Sequence, residues 1–225
     1  MQDDSKRSAA LKALEFTTGA SIVGIGTGST TKFAIEGLAE LVRGGATFRG
    51  VPTSKATESL AQQLGIPLVD LNEVTGIDVS IDGADEVDPL FNMIKGGGGA
   101  LTREKLVALA ARKRVFIVDR SKLVEVLGKT RPLPIEVLPF SWAMSARLIA
   151  EIGCSPKRRE IRGEPFITDN GNFILDCDFQ EIVDPRSIES RIKLIPGVVE
   201  CGLFVDLADV LVIGHDDEVE VRKKL

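Results

Sequence analysis

The chain has 225 residues, enough for one large domain or two modest ones around a substantial core. Hydrophobic residues at 44% and charged residues at 27% exclude a disordered or fibrous chain; 28 basic against 33 acidic residues, with no strongly basic stretch, argue against a nucleic-acid surface. Cys154, Cys177 and Cys201 lie more than twenty residues apart, so they form neither a zinc knuckle nor a disulfide framework and read as buried thiols of a reducing compartment.

The N-terminal MQDDSKRSAALKALEF lacks the apolar core of a signal peptide, and no segment reaches the roughly 18 apolar residues of a membrane span. A cytoplasmic protein with no membrane partner is expected. From Ser5 to Phe16 apolar positions recur at helical spacing, with Asp4 or Ser5 as the expected cap. SIVGIG then reads as a strand with a glycine-rich exit, and TTKFAIEGLAELV as an amphipathic helix. The alternation repeats with FRGVP and KATESLAQQLG, with IDVSIDGAD and ALTREKLVALAARK, and with VFIVDRS and KLVEVLG. Such an order predicts an α/β fold, a Rossmann-like parallel sheet with helices on both faces.

Near Lys129 the pattern changes: TRPLPIEVLPF reads as a linker entering an edge strand. SWAMSARLIAEIG is a predicted helix, KRREI and PFITDNGNFILDCDF a hairpin around Asn170-Gly171, PRSIESRIKLI a helix and VVECGLF a strand. Strand, helix, two strands, helix, strand is the ferredoxin-like α+β order. ADVLVIG is placed back in the first sheet, so residues 129–206 form an inserted domain between 1–128 and 207–225. His215 reads as a surface residue and VRKKL as a solvated tail.

Three loops carry the chemistry. GIGTGSTT leaves a strand and enters a helix, so its amides and the hydroxyls of Thr27, Ser29 and Thr30 can converge on an anion. It lacks the GK[ST] ending of an ATP loop and the GxGxxG spacing of a dinucleotide loop, which argues against a nucleotide; an ordinary tight turn without a ligand would use the same glycines, and the cluster of three hydroxyls favours a phosphate. IDGADEVD puts Asp82 and Asp85 just past a buried strand, where two carboxylates can bind sugar hydroxyls or move protons. A capped turn or a Mg²⁺ site would use the same residue types, but no metal-loop spacing supports the metal. KGGGGALTREK sets Lys95 before four glycines, whose ordering is costly unless the backbone packs around something, and Glu104 in the first turns of the next helix. A cation and a candidate base thus bracket one loop.

GIGTGSTT, SIDGADEVD and IKGGGGALTREK together resemble the type A ribose-5-phosphate isomerases, and the likeness runs through RSKLVEVLG, LPIEVLP, TDNGN and IPGVVECGLF. The resemblance implies interconversion of ribose 5-phosphate and ribulose 5-phosphate through an enediol, in the pentose phosphate pathway, with no metal or organic cofactor and in a homodimer or homotetramer. By the same resemblance Glu104 is the general base, and Lys95, Asp82 and Asp85 serve the reacting end. Substrate binding is carried by Thr27, Gly28, Ser29 and Thr30, by Asp82, Gly83, Ala84 and Asp85, by Lys95, Gly96, Gly97 and Gly98, and by Lys6 and Lys122. A phosphosugar-sensing regulator would instead need a helix-turn-helix unit and a basic face, which the sequence lacks.

Overall fold

Short apolar strands buried on both faces alternate with helices through the first part of the chain, and they assemble as a mostly parallel sheet. The computed structural model describes residues 2–215 and 218–224. The chain divides into two units. One takes the residues up to Ala84, Arg103–Lys122 and those from Leu207 on; the other takes Asp85–Thr102 and Leu123–Asp206.

In the first unit the strand order is Val219–Lys223, Val210–Gly214, Ala111–Asp119, Ile77–Gly83, Ile22–Ile25, Arg49–Pro52, parallel except for the first. Period-two alternation assigns the faces. Val23, Ile25, Val79 and Ile81 share a core with Ala9, Ala10 and Ala13 of the helix Gln2–Ala13 and with Ala34, Ile35 and Leu38 of Ser29–Arg43. Gly24, one residue out of phase, meets the helix Leu101–Ala110 instead: a Cβ there would lie 2.6 Å from Val107 Cγ1.

In the second unit Val198–Cys201, Leu133–Val137, Phe173–Asp178 and Ser155–Arg158 lie side by side, all antiparallel. Counted along the chain these are the fourth, first, third and second strands, the ferredoxin-like order. Helices Trp142–Ala150 and Pro185–Lys193 put Ile149 and Ile192 into its core with Leu133, Ile135 and Leu175. Asp184 caps the second helix by accepting from Ser187 N at 3.0 Å, with Pro185 at its start. Cys177 and Cys201 are buried, Cys154 is half-buried, and none forms a disulfide.

Five expectations are corrected. The first helix begins by Gln2, so Asp4 and Ser5 lie inside it; Asp3 and Asp4 place acidic groups in the first turn, where the helix dipole favours them. KLVEVLG is not a helix beyond the single 3₁₀ turn Arg120–Lys122, because its backbone is satisfied elsewhere: Leu123 bridges to Val87 and Leu127 to Ile182. Leu133–Val137 is a central strand rather than an edge. Pro134 is tolerated there because its carbonyl, and hence its missing N–H, faces Gly202, past the end of Val198–Cys201. Val221–Lys223 of the expected tail belongs to the antiparallel edge strand, whose charged side chains suit an edge. Finally, the second unit reaches beyond residues 129–206. Glu86–Val87 and Met93–Ile94 join Leu203–Phe204 in a small sheet, and the buried Glu86 carboxylate accepts from Gly128 N, Thr130 N, Thr130 Oγ1 and Arg131 N at 2.6–2.8 Å. Met1, Asp216, Asp217 and Leu225, included in the expected outer segments, lie outside the described residues.

Candidate active site

In the first unit the parallel strands deliver Gly26, Asp82 and Asp119 to the carboxyl edge of the sheet, where open α/β sheets bind ligands. Asp82 is 5% exposed, and its Oδ1 accepts from Gly83 N at 2.7 Å and Thr27 N at 3.1 Å. Position 26 has to be glycine, because a Cβ there would lie 2.1 Å from that same oxygen. One carboxylate therefore shapes both the turn at Thr27 and its own strand end.

The hydroxyl of Thr27 is turned to the scaffold, against the expectation that it meets the anion. It donates to Ser54 Oγ at 2.8 Å, Ser54 donates to Thr57 Oγ1 at 3.1 Å, and Thr57 donates to Gly26 O at 2.9 Å. Thr53 Oγ1 also lies 2.8 Å from Thr27 Oγ1. Gly28 takes φ +137°, a conformation that favours glycine, and the helix Ser29–Arg43 starts after it with no side-chain cap. Its first amides are thus open to an anion, beside the exposed Ser29 and the buried Thr30. Sequence reasoning missed Thr31: its Oγ1 is buried without a hydrogen-bond partner among the described residues, 3.7 Å from where a Cβ on Gly83 would stand and 3.9 Å from one on Gly28. The second threonine of GSTT was the available signal.

The two lysines reach this edge by different elements. Ser5 O packs so tightly on Gly214 that a Cβ there would be 2.0 Å away, and Gly214 pairs with Asp119 in the sheet. Lys6 follows, its side chain only 13% exposed, with Nζ 3.9 Å from Asp3 Oδ1. Lys122 is half-buried in the turn just after Asp119. Asp119 is another group the sequence did not single out: Oδ1 accepts from Ser121 N at 3.0 Å and from Ser121 Oγ, while Oδ2 is buried with no hydrogen-bond partner among the described residues. Glu104, 5% exposed, sits in the first turn of Leu101–Ala110.

In the second unit Lys95 is 2% exposed and its Nζ stands 5.4 Å from the centre of the Phe204 ring, a cation–π contact. Its backbone N–H donates to Gly202 O at 2.9 Å, and a Cβ on Gly202 would fall 2.2 Å from Lys95 O. The glycine of ECGLF is therefore there for close backbone approach. Gly96 and Gly99 both have positive φ and close a turn through Gly99 N to Gly96 O at 2.9 Å. Asp85 Oδ2 accepts from Gly97 N at 2.7 Å. Gly83 and Ala84, half-buried, carry the chain from Asp82 to Asp85. Glu136, fully buried, accepts from Thr168 Oγ1 and Asn172 Nδ2 at 2.8 Å and from Thr102 Oγ1 at 2.5 Å, which anchors the start of the helix that carries Glu104.

These residues supply a buried carboxylate at a helix start, a buried ammonium beside a glycine turn, and an anion loop with open amides: parts for proton transfer and for holding negative charge. Residues 49–218 match the family described as Ribose 5-phosphate isomerase A (phosphoriboisomerase A). The chain is 46% identical to the ribose-5-phosphate isomerase A of Parvibaculum lavamentivorans, over 97% of each chain. It is similar to the solved ribose 5-phosphate isomerase A of Methanocaldococcus jannaschii, at 40% identity, TM-score 0.93 and coverage of 98% and 99% of the two chains. A D-ribose-5-phosphate isomerase solved in complex with phospho-erythronic acid matches at 39% identity and TM-score 0.96, over the whole of both chains.

Proposed function

The chain belongs to the ribose 5-phosphate isomerase A family, and from that premise we propose how its residues divide the work of aldose–ketose isomerisation. The enzyme interconverts D-ribose 5-phosphate and D-ribulose 5-phosphate, a step of the pentose phosphate pathway. Glu104 removes the proton from C2 of the open-chain aldose. The electron pair moves into a C1–C2 double bond and the carbonyl oxygen on C1 gains negative charge. Lys95 and nearby glycine N–H groups hold that charge. Glu104 then returns the proton to C1, while Asp82 or Asp85 carries a proton between the two oxygens and assists ring opening. Thr27 contributes through its backbone, and Gly28, Ser29, Thr30, Lys6 and Lys122 bind the phosphate, whose remote binding energy positions the sugar carbons.

The observation that carries this reading is the withdrawal of Asp82, Lys95 and Glu104 from water, at 5%, 2% and 5% exposure, within motifs of this family. Charged side chains are seldom so buried without a functional or paired role. The chemistry calls for no metal or organic cofactor, because a carboxylate and an ammonium meet both of its needs. A cytoplasmic homodimer or homotetramer belongs to the same proposal; exposed Leu138, Phe140 and Met144 in the second unit supply apolar surface for it. The test is turnover of ribose 5-phosphate in the presence of a chelator, read as ribulose 5-phosphate formed. Binding without turnover would favour a phosphosugar sensor.

A further inference from the structure

The Gly96–Gly99 turn is fastened by a side chain that the mechanism above does not use. Arg159, next after the strand Ser155–Arg158, donates from Nη1 to Gly96 O at 3.1 Å and to Gly97 O at 3.0 Å. Its guanidinium is anchored in turn on Asp176, through Nε to Oδ2 at 2.9 Å and Nη2 to Oδ1. The Phe166 ring lies 5.7 Å from the guanidinium and packs on the turn so closely that a Cβ on Gly99 would be 2.4 Å from Phe166 Cζ. Arg159 and Asp176 keep side-chain exposures of only 15% and 24%, so little water competes for these bonds.

A trans peptide holds its C=O and the following N–H on opposite sides. Drawing the carbonyls of Gly96 and Gly97 to Arg159 therefore turns the N–H groups of Gly97 and Gly98 the other way. The Gly97 N–H reaches Asp85. The Gly98 N–H is presented beside it, at an exposed residue with open space where a side chain would be. The same geometry removes two carbonyl dipoles that would otherwise be free to face and repel an anion. Four glycines have no side chains to impose this orientation, and only a planar fork can grip two carbonyls and a carboxylate at once.

We propose that Arg159, locked by Asp176, is a positioning residue that presents the Gly98 amide as a hydrogen-bond donor to the enediolate oxygen. This rests on the isomerase reading above and adds a residue that acts through the glycine backbone. Charge on that oxygen develops only during reaction, so losing the clamp should lower kcat and leave ground-state binding nearly intact.

The experiment compares full-length wild type, Arg159→Ala and Arg159→Lys in steady-state isomerisation and in inhibition by phospho-erythronic acid, whose carboxylate carries charge where the enediolate would. Both variants should lose about 10- to 100-fold in kcat, with KM within about threefold. Affinity for phospho-erythronic acid should fall in step with kcat, and added guanidinium ion should restore part of the activity of Arg159→Ala but not of Arg159→Lys. Retained kcat, a raised KM at constant kcat, or undiminished inhibitor affinity would each overturn the assignment. Wild type without turnover would instead overturn the isomerase reading itself, and the inference with it. Should Arg159→Ala not fold, Asp176→Asn keeps the guanidinium but loosens its anchor, and the same losses of kcat and of inhibitor affinity are expected, without rescue by guanidinium ion.

Discussion

The turn at Gly26–Ser29 rests on its outer side on neutral hydroxyls, from Thr53, Ser54 and Thr57, with one carboxylate, Asp82, on the Thr27 amide, whereas the turn at Gly96–Gly99 has charged partners on both kinds of peptide group, with Asp85 on an amide and Arg159 on two carbonyls. Neutral hydroxyls fix a backbone without adding a field, which suits a group such as phosphate whose charge is the same before and after reaction. Charged partners polarise the peptides they hold, which suits an oxygen whose charge appears only in the transition state. The two loops should accordingly fail in different ways. Damage to the first should appear in stability and KM, and damage around the second in kcat.

The largest effect, and the first way to break that contrast, is Glu104→Gln. Removing the proton carrier should lower kcat by about 10²- to 10⁴-fold, with phospho-erythronic acid still bound. A variant with near-normal turnover would remove Glu104 from the mechanism and leave the charged loop without a chemical step to serve.

On the hydroxyl side, Thr57→Val deletes the donor to Gly26 O and the acceptor of Ser54 Oγ in a buried relay. Stability should drop by about 1–3 kcal/mol in urea melts, because Gly26 O and Ser54 Oγ each lose a partner. At a temperature where the variant is folded, KM should rise while kcat holds. A kcat loss without a KM change would erase the distinction between the loops.

Thr31→Val sharpens the same point with a smaller effect. The Thr31 hydroxyl is buried without a hydrogen-bond partner among the described residues, so its removal should leave stability unchanged or raise it by up to about 1 kcal/mol. If that hydroxyl serves the anion, KM should nonetheless rise about tenfold, the worth of one hydrogen bond to a charged group. Thermal melts and KM measured together read both signs; a stable variant with unchanged KM would limit the anion site to backbone amides and lysines.

Much of this architecture was legible because hydrophobic period and glycine placement are local signals. SIVGIG, IDVSIDGAD and VFIVDRS announce buried parallel strands, and the four-glycine run announces a backbone under constraint. The partners of those loops were not legible, since they arrive through tertiary contact. Nothing in KRREI marks Arg159 as the residue that reaches Gly96 and Gly97 more than sixty positions away. Nothing in ATESL marks Thr57 as the support of Gly26, 31 positions earlier. KLVEVLG misled for a related reason: its apolar spacing fits a helix, but Val87 and Ile182 offer its backbone bridging partners that no local pattern reveals.

The smallest effect concerns an ion pair that serves neither loop, and it provides the baseline against which both are judged. Asp209, just before the strand Val210–Gly214, receives Arg114 N and Nε on Oδ2 at 2.8 Å and Nη2 on Oδ1 at 2.7 Å, tying that strand to Ala111–Asp119. Burial pushes the Asp209 carboxyl up, but the Arg114 side-chain and backbone donors outweigh it and hold the group below its ordinary value; the Arg114 guanidinium is raised correspondingly. A carboxyl with a lowered folded-state pKa contributes stability that is present above its unfolded value, near 4, and lost as pH falls through the lowered one. With the Asp209 side chain 35% exposed, solvent screening limits the contribution to about 1 kcal/mol. Asp209→Asn should therefore be less stable than wild type by about that amount at pH 7, with the gap closing as the pH falls through the lowered Asp209 value. Because the pair lies in the scaffold, kcat and KM at neutral pH should stay at wild-type values. Any shift in either would mean that ordinary loosening of the sheet moves the kinetics, and the separate KM and kcat signatures expected of the two loops would then lose their meaning.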